Sequence, residues 1–321
     1  MKRAGTLLAM TSLWLLVSSG CSDLVYRLGI PLFYEEAELP AGQVLLDQPY
    51  RTGPGADPVK HRLDLFLPAP SEAPAPVLVF VHGGGWRKGD KSFAPGGHDV
   101  YGNVGRFFAG RGIATAVISY RLMPQVTLAE QIDDVARAVA WVRREAPRHG
   151  LDPDGIFLSG HSAGAQLATW VTLDRSRLAA VGVPASAIRG LIAVSGAAYD
   201  VADEETYRLG GDPDYYAERF RNGDPTDAWK SAASPIRFAR GDAPPALIFY
   251  AEGESEALKH QARLLTDALG RAGASARLVA VPAGSHERIV LTLSRADRVA
   301  APEMLAFIRS AGGTSRLSRA P

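Results

Sequence analysis

The segment LSGHSAGAQLATW, residues 158–170, indicates how this chain folds. An apolar run leads into the pentapeptide GHSAG at 160–164, and a helical pattern begins immediately afterwards. A serine on a sharp strand-to-helix turn needs small residues two positions to either side, because the turn packs against neighbouring backbone. Such a turn exposes the Ser162 hydroxyl beside a helix N-terminus, where developing negative charge is favoured. The pattern predicts that Ser162 is a nucleophile; the alternative is a chance run of small residues where a helix contacts a sheet.

Short apolar segments lie on both sides of this turn and predict strands. Residues 61–68 alternate between apolar and polar side chains, which indicates an early edge strand. Six further runs are apolar almost throughout, as strands are when both faces of a parallel sheet are covered: residues 77–81, 114–120, 155–160, 190–196, 246–251 and 276–281. Helix-like segments separate these runs. The alternation predicts an α/β fold, a mostly parallel central sheet with helices on both faces.

The clearest predicted helix lies between residues 127 and 150. Thr127 and Glu130 have the spacing of a capping box, apolar residues then recur at steps of three and four, and Gly150 is suited to end the helix. Residues 200–230, rich in Tyr, Arg, Asp and Gly, interrupt the alternation of strands and helices. They predict a small cap inserted over the edge of the sheet.

A second motif, PVLVFVHGGGWRKGDK at residues 76–91, ends another apolar strand. Ordered glycines cost conformational entropy, so three in a row imply a backbone path that no side chain would permit. Attack of a serine on a carbonyl carbon creates an oxyanion, and each fixed N–H donor stabilises it by about 3 to 4 kcal/mol. We predict an oxyanion hole formed by the amides of Gly83, Gly84 and Ala163, with the His82 side chain orienting the loop. A flexible glycine turn is the alternative.

A serine nucleophile needs a general base and a carboxylate that orients the base. Folds with this serine turn place the acid and then the histidine later in the chain. His260 and His286 are the two of seven histidines that follow Ser162. His260 falls inside a predicted helix, whereas His286 follows a strand and a small-residue turn, so His286 is the predicted base. Glu254 is the predicted acid and Glu252 the second choice, since both follow the strand at 246–251.

Taken together, these motifs resemble the α/β-hydrolase esterases and lipases. The matching segments include FVHGGGWRKGDK, GLDPDGIFLSGHSAGAQLA, PPALIFYAEGES and GSHERIV, within residues 45–310. The group includes hormone-sensitive-lipase-like carboxylesterases, feruloyl-esterase-like enzymes, isoprenylcysteine methylesterase and kynurenine formamidase. GHSAG, where the hormone-sensitive-lipase subgroup more often has GDSAG, favours the last three.

The resemblance implies a sheet of eight strands, a Ser–acid–His triad and no cofactor. Glu254 aligns with the acid position, where many relatives have Asp, so Glu252 stays open as the acid. The resemblance also implies that Trp86 and His161 contact the substrate. No histidine and carboxylate spacing typical of a metal site is present, so no metal is predicted.

The N-terminus has the pattern of an export signal. Two basic residues, an apolar run and small residues precede Cys21, the one cysteine of the chain. This order resembles a bacterial lipoprotein signal, so we predict that residues 1–21 are a signal peptide, that Cys21 is lipidated, and that the protein lies in the cell envelope, periplasm-facing or in the outer membrane. An ordinary signal peptide is the alternative. Residues 22–43 are predicted as a tether and lead-in, residues 44–311 as the hydrolase domain and residues 312–321 as a tail.

The composition of the chain limits the classes of function that it supports. A chain of 321 residues with 46% hydrophobic residues and a formal net charge of +1 fits a globular protein and gives no support for nucleic-acid binding. We therefore predict a serine carboxylesterase that acts on a small-molecule ester and is attached to a membrane by its N-terminal lipid. The alternatives are an amide or formamide hydrolase, such as a kynurenine-formamidase-like enzyme, and a catalytically silent hydrolase fold that serves as an envelope scaffold.

Overall fold

The computed structural model describes residue 30 and residues 32–282 and 284–313. These residues form one sheet of eight strands: β1 (Val44–Pro49), β2 (Arg62–Phe66), β3 (Ala75–Val81), β4 (Ala114–Ile118), β5 (Leu151–His161), β6 (Ile188–Val194), β7 (Ala246–Ala251) and β8 (Ala276–Val281). The spatial order is β1-β2-β4-β3-β5-β6-β7-β8. β1 with β2 and β2 with β4 pair antiparallel, and every other neighbouring pair is parallel. The predicted α/β class and its mostly parallel sheet are confirmed.

Helices connect the parallel strands and cover both faces of the sheet. In chain order they are α1 (Val100–Ala109), α2 (Leu128–Glu145), α3 (Ala163–Leu173), α4 (Arg175–Ala179), α5 (Glu204–Arg208), α6 (Pro213–Phe220), α7 (Ala228–Ala232), α8 (Glu256–Arg271), α9 (Arg288–Leu291) and α10 (Ala300–Gly313). Residues of α2, α3 and α8 share one apolar core with one face of the sheet, and residues of α1 and α10 share a second core with the other face. Such burial on both faces explains why the strand sequences are apolar throughout.

The predicted edge strand is not at the edge. β2 lies between β1 and β4, and Asp64 within it is buried and ion-paired to the Lys91 ammonium at 2.9 Å. The polar positions of residues 61–68 therefore do not mark a solvent face. The edge is β1, where Leu46 is exposed.

The predicted start of α2 is confirmed. The Glu130 amide donates to the Thr127 hydroxyl oxygen, and the Glu130 carboxylate accepts from the Thr127 amide at 2.9 Å. The helix ends at Glu145, and a short 3-10 turn leads to Gly150, whose φ of 67° is the left-handed conformation favoured by glycine.

The segment at 200–230 contains α5, α6 and the first residues of α7, and these three helices lie between β6 and β7 in the chain. This cap contacts the loop after β3. The Arg87 guanidinium donates to the Glu218 carboxylate, and Arg219 donates to the Gly85 carbonyl at 3.2 Å. The cap therefore lies beside the glycine motif.

Part of the predicted lead-in packs on the domain. Ile30 is buried, and Phe33 and Tyr34 lie against the same core as α1. The signal peptide at residues 1–21, Cys21 and the tail beyond residue 313 lie outside the described residues. Within the ranges described, no helix has the length and apolar character needed to cross a membrane.

Candidate active site

Ser162 lies on the sharp turn between β5 and α3. Its φ of 56° and ψ of −123° place a residue other than glycine in a conformation that L-amino acids rarely adopt. A Cβ on Gly160 would lie 2.4 Å from the Gly164 backbone, and a Cβ on Gly164 would lie 2.2 Å from the Val81 carbonyl oxygen. Both flanking glycines are thus required by close backbone contact, and the turn leaves the Ser162 side chain half-buried at the carboxyl end of the sheet.

His286 is brought to Ser162 by the turn that follows β8. The distance from the His286 Nε2 atom to the Ser162 Oγ atom is 2.8 Å, within hydrogen-bond range although 124 residues separate the two in the chain. One quarter of the His286 side chain remains exposed. The pair can pass a proton from the hydroxyl to the ring, which is the first requirement for a serine nucleophile.

Glu254 is buried behind His286, on the turn after β7. Its Oε2 atom lies 3.9 Å from the His286 Nδ1 atom, and neither atom has a hydrogen-bond partner among the described residues. Closing this gap by about 1 Å would form the bond that fixes the tautomer of the ring, and such bonds often tighten when a substrate binds. Glu252, the second choice for the acid, is exposed, and among the described residues the ion pair of the His286 Nδ1 atom is with Glu254.

The electrostatic surroundings favour a proton on His286. Burial of the ring is the largest single influence and lowers its pKa, but the Glu254 carboxylate and, to a smaller extent, Glu287 together raise it by more. The pKa of His286 therefore lies above the ordinary value of 6.5. A raised pKa makes the imidazole a stronger base toward the serine hydroxyl.

His161 differs from its predicted role in substrate contact. Its ring is 3% exposed, and its Nε2 atom lies 2.7 Å from the His286 backbone carbonyl oxygen, to which it donates. Burial and the nearby His286 ring lower the pKa of His161 to about 3, so the side chain is neutral. The geometry corrects the prediction, because His161 holds the His286 turn in place rather than facing a ligand.

The glycine loop after β3 is fixed by side-chain hydrogen bonds. The His82 Nδ1 atom lies 2.7 Å from the Gly83 carbonyl oxygen, and the His82 ring stacks on Tyr120 with centroids 4.3 Å apart. Burial lowers the pKa of His82 to about 4, so the neutral ring donates to that carbonyl. This is the orienting role that the sequence predicted for His82.

The amide of Gly83 differs from its predicted role in an oxyanion hole. Its N–H group donates to the buried Tyr101 hydroxyl at 3.2 Å. In the described part of the chain, the amides of Gly84, Gly85 and Ala163 make no hydrogen bond. Gly84 is exposed at this point of the surface, so an oxyanion can approach its amide. Two of these three unbonded amides, those of Gly84 and Ala163, belong to the predicted set.

Trp86 also differs from the prediction that it contacts substrate. It is 1% exposed, and its indole N–H donates to the Gln166 side chain at 3.1 Å. Its ring packs edge-on against Phe220 of the cap, with centroids 4.8 Å apart. Trp86 therefore joins the glycine loop to α3 and to the cap.

Sequence reasoning missed Tyr101, Gln166 and Gly85. Tyr101 belongs to α1, 18 positions beyond the glycine whose amide it binds, and no local pattern links the two. Gln166 lies four residues after Ser162 on α3, where a polar residue inside an otherwise apolar helix was the available signal. Within the described ranges, no group of three or more His, Cys, Asp or Glu side chains could hold a metal ion.

Sequence comparison finds a matching family and curated relatives. A family model described as BD-FAE matches residues 63–269. The isoprenylcysteine alpha-carbonyl methylesterase ICME of Arabidopsis thaliana is 26% identical over 303 residues, which are 89% of this chain and 64% of that protein. Esterase LipQ of Mycobacterium tuberculosis is 30% identical over 269 residues, 82% of this chain and 61% of that protein. The chain thus spans less than two thirds of the length of these curated relatives.

Among solved structures, an inhibited form of esterase B from Lactobacillus rhamnosis matches with a TM-score of 0.71 at 23% identity. The match covers 93% of this chain and 94% of that one. The likeness extends through nearly all of both chains, and it shows that the eight-stranded sheet and its helices form the α/β-hydrolase fold.

Proposed function

The chain belongs to the BD-FAE family of α/β-hydrolases, and on that premise we propose that it is an exported, lipid-anchored carboxylic ester hydrolase with a serine nucleophile. The single observation that carries the catalytic part is the 2.8 Å approach of the His286 Nε2 atom to the Ser162 Oγ atom on a strained turn. Related proteins named as esterases, ICME and LipQ among them, support an ester as the substrate.

Acylation begins with transfer of the Ser162 hydroxyl proton to the His286 Nε2 atom. The Oγ atom bonds to the ester carbonyl carbon, and the carbonyl electron pair moves to oxygen, which becomes the oxyanion. The unbonded amides of Gly84 and Ala163, with Gly85 beside them, donate to that oxygen. Because these donors are held in place before the reaction, they stabilise the transition state without a cost for reorienting solvent.

Collapse of the tetrahedral intermediate breaks the bond to the alcohol oxygen. His286 gives its proton to that oxygen, and the alcohol leaves the serine acylated. Water then repeats the sequence, losing a proton to His286 as it adds to the acyl carbon, and the Ser162 oxygen leaves and takes that proton back. The Glu254 carboxylate stabilises the imidazolium that exists twice in each cycle.

The test of this function is the variant Ser162→Ala. Turnover of short p-nitrophenyl esters is expected to fall by at least three orders of magnitude, with circular dichroism and the melting temperature unchanged. A fluorophosphonate probe should label the wild-type protein at Ser162. Retained turnover in the variant, or no adduct at Ser162, would overturn the proposal and favour a silent hydrolase fold. Matched ester and amide substrates, measured side by side, separate an esterase from a formamide hydrolase.

The envelope location rests on residues 1–21 and on Cys21 as the chain's one cysteine. Its test is growth with radiolabelled palmitate followed by membrane fractionation. Label on the wild-type protein and loss of both label and membrane association in Cys21→Ser are expected. A wild-type protein that incorporates no label contradicts the lipid anchor and leaves the esterase proposal untouched.

A further inference from the structure

Ser195 lies between the proposed nucleophile and the proposed acid. The turns after four neighbouring strands carry Ser162, Ser195, Glu254 and His286, in the order β5, β6, β7 and β8. The Ser195 amide donates to the Phe249 carbonyl oxygen of β7 at 2.9 Å, so its backbone is fixed to the strand that leads to the acid. The sequence assigned Ser195 no catalytic role, although Ser195 begins SGAAYD, residues 195–200, which is one of the segments that resemble the α/β-hydrolase esterases.

The backbone of Ser195 is strained. Its φ is 48°, a left-handed conformation that glycine adopts freely and that costs a serine on the order of 1 kcal/mol. The side chain is also almost wholly buried, with the residue 1% exposed. A buried hydroxyl at a position where glycine would be less strained indicates that the hydroxyl itself has a task.

The hydroxyl of Ser195 donates a hydrogen bond to the Glu254 Oε1 atom. The Ala251 amide donates to the same oxygen at 2.7 Å. Two donors therefore hold Oε1. In the described part of the chain, Oε2 accepts no hydrogen bond, and it faces the His286 Nδ1 atom at 3.9 Å. One carboxylate oxygen is fixed and the other is left for the base.

We propose that Ser195 is a positioning residue, whose hydroxyl holds the Oε1 atom of Glu254 so that Oε2 is presented to His286. The Ala251 amide alone leaves the carboxylate able to rotate about its last bond, and the second donor, arriving from a different strand, removes that freedom. The proposal rests on the proposed function, because it gives Ser195 a task only if Glu254 orients the base.

The test is Ser195→Gly, which removes the hydroxyl and also relieves the strained φ, so loss of folding is not expected. The value of kcat for a short ester should fall about 10- to 100-fold with KM nearly unchanged, as for a misplaced catalytic group. The pH midpoint of kcat/KM should move downward, because a loosely held Glu254 carboxylate raises the pKa of His286 less. Ala198→Gly is the matched control, since Ala198 is buried in the same loop with a φ of 55° but has no hydroxyl.

A double-mutant cycle separates positioning from general packing. In the Glu254→Gln background, Ser195→Gly should cause less than a twofold further loss of kcat, because the carboxylate that it positions is gone. A kcat within twofold of wild type in Ser195→Gly, an unchanged pH midpoint, or fully additive losses would each overturn the proposal. Ser162→Ala would still abolish turnover in those cases, so failure of this inference is distinct from failure of the proposed function.

Discussion

Two pairs in the structure each place an imidazole beside a carboxylate, and their hydrogen bonds differ: His61–Asp134 and His286–Glu254. The His61 Nε2 atom lies 2.9 Å from the Asp134 Oδ1 atom, with both side chains fully buried. The other ring nitrogen accepts from the Asp57 amide at 2.7 Å, and the Arg121 guanidinium donates to both oxygens of Asp134. Both ring nitrogens of His61 and both carboxylate oxygens of Asp134 are therefore bonded.

In the His286–Glu254 pair, two atoms have no hydrogen-bond partner among the described residues. The ring Nδ1 atom and the carboxylate Oε2 atom face each other at 3.9 Å, while the ring Nε2 atom meets Ser162. A pair whose hydrogen-bonding atoms all have partners stabilises the backbone around it, because any movement of either side chain would leave a buried polar group without a partner. A pair with free bonding capacity can take up and release a proton. The comparison shows that an incomplete hydrogen-bond network marks the candidate site better than the presence of a histidine beside an acid does.

The largest expected effect comes from Glu254→Gln, which keeps the shape of the side chain and removes its charge. Without the carboxylate, the imidazolium formed during catalysis loses its counter-charge, so kcat should fall by about 10³- to 10⁴-fold while the free energy of unfolding changes little. Steady-state kinetics and urea denaturation measure the two quantities. Glu252→Gln, two residues away and exposed, should have wild-type kcat. Equal losses in both variants would remove the distinction on which the assignment of the acid depends.

Asp134→Ala should have the opposite outcome. It leaves the buried His61 ring and the Arg121 guanidinium without their acceptor, which costs about 3 kcal/mol in the free energy of unfolding. We expect the lower end of the range for a broken buried pair, because about a fifth of the Arg121 side chain is exposed. The folded fraction should keep its kcat. A large loss of kcat with little loss of stability would show that this pair serves the chemistry as well.

The smallest expected effect is a shift in pH dependence. His286 must be neutral to accept the serine proton, and the Glu254 carboxylate raises its pKa above 6.5. The value of kcat/KM should therefore fall as pH is lowered through a midpoint above 6.5. The charged or titratable groups acting on the ring are Glu254, Glu287 and the neutral His161.

Glu254→Gln removes the main raising influence, so burial then lowers the pKa of His286 below its ordinary value. An NMR titration of His286 in the Ser162→Ala background, with and without Glu254→Gln, measures the shift directly. A midpoint that stays the same in both proteins would mean that the two side chains are not electrostatically coupled.

The sequence predicted the features that are encoded locally. The strained serine turn, the capping box of α2 and the turn that carries His286 each lie within a few residues, and all three are present in the structure. The roles of Gly83 and His161 were not predictable in this way. The Gly83 amide is taken by Tyr101 on the next helix, and His161 binds a carbonyl 125 residues away. Such contacts depend on which strands become neighbours in the sheet, and the periodicity of a single sequence does not predict the order of the strands.

The position of β2 was missed for the same reason. Alternation of polar and apolar residues is the usual pattern of a strand with one solvent face, but Asp64 is neutralised by the Lys91 ammonium that arrives from the loop after β3. A strand with a buried ion pair and a strand with a solvent-exposed face show the same alternation of polar and apolar residues. The two cases are distinguished only when the structure shows what contacts the polar side chains.

The attachment of the cap has a consequence for the response of the protein to salt. One ion pair links the cap to the glycine loop, between the Arg87 guanidinium and the carboxylate of Glu218, a side chain that is 62% exposed. Interactions between exposed charges weaken as ionic strength rises, with a screening length of about 8 Å at physiological ionic strength. Dissolved electrolyte therefore weakens this charged link, whereas the packing of Trp86 on Phe220 is not screened. Bulky esters, which need the most room to enter, should gain slightly more from added sodium chloride than short esters do.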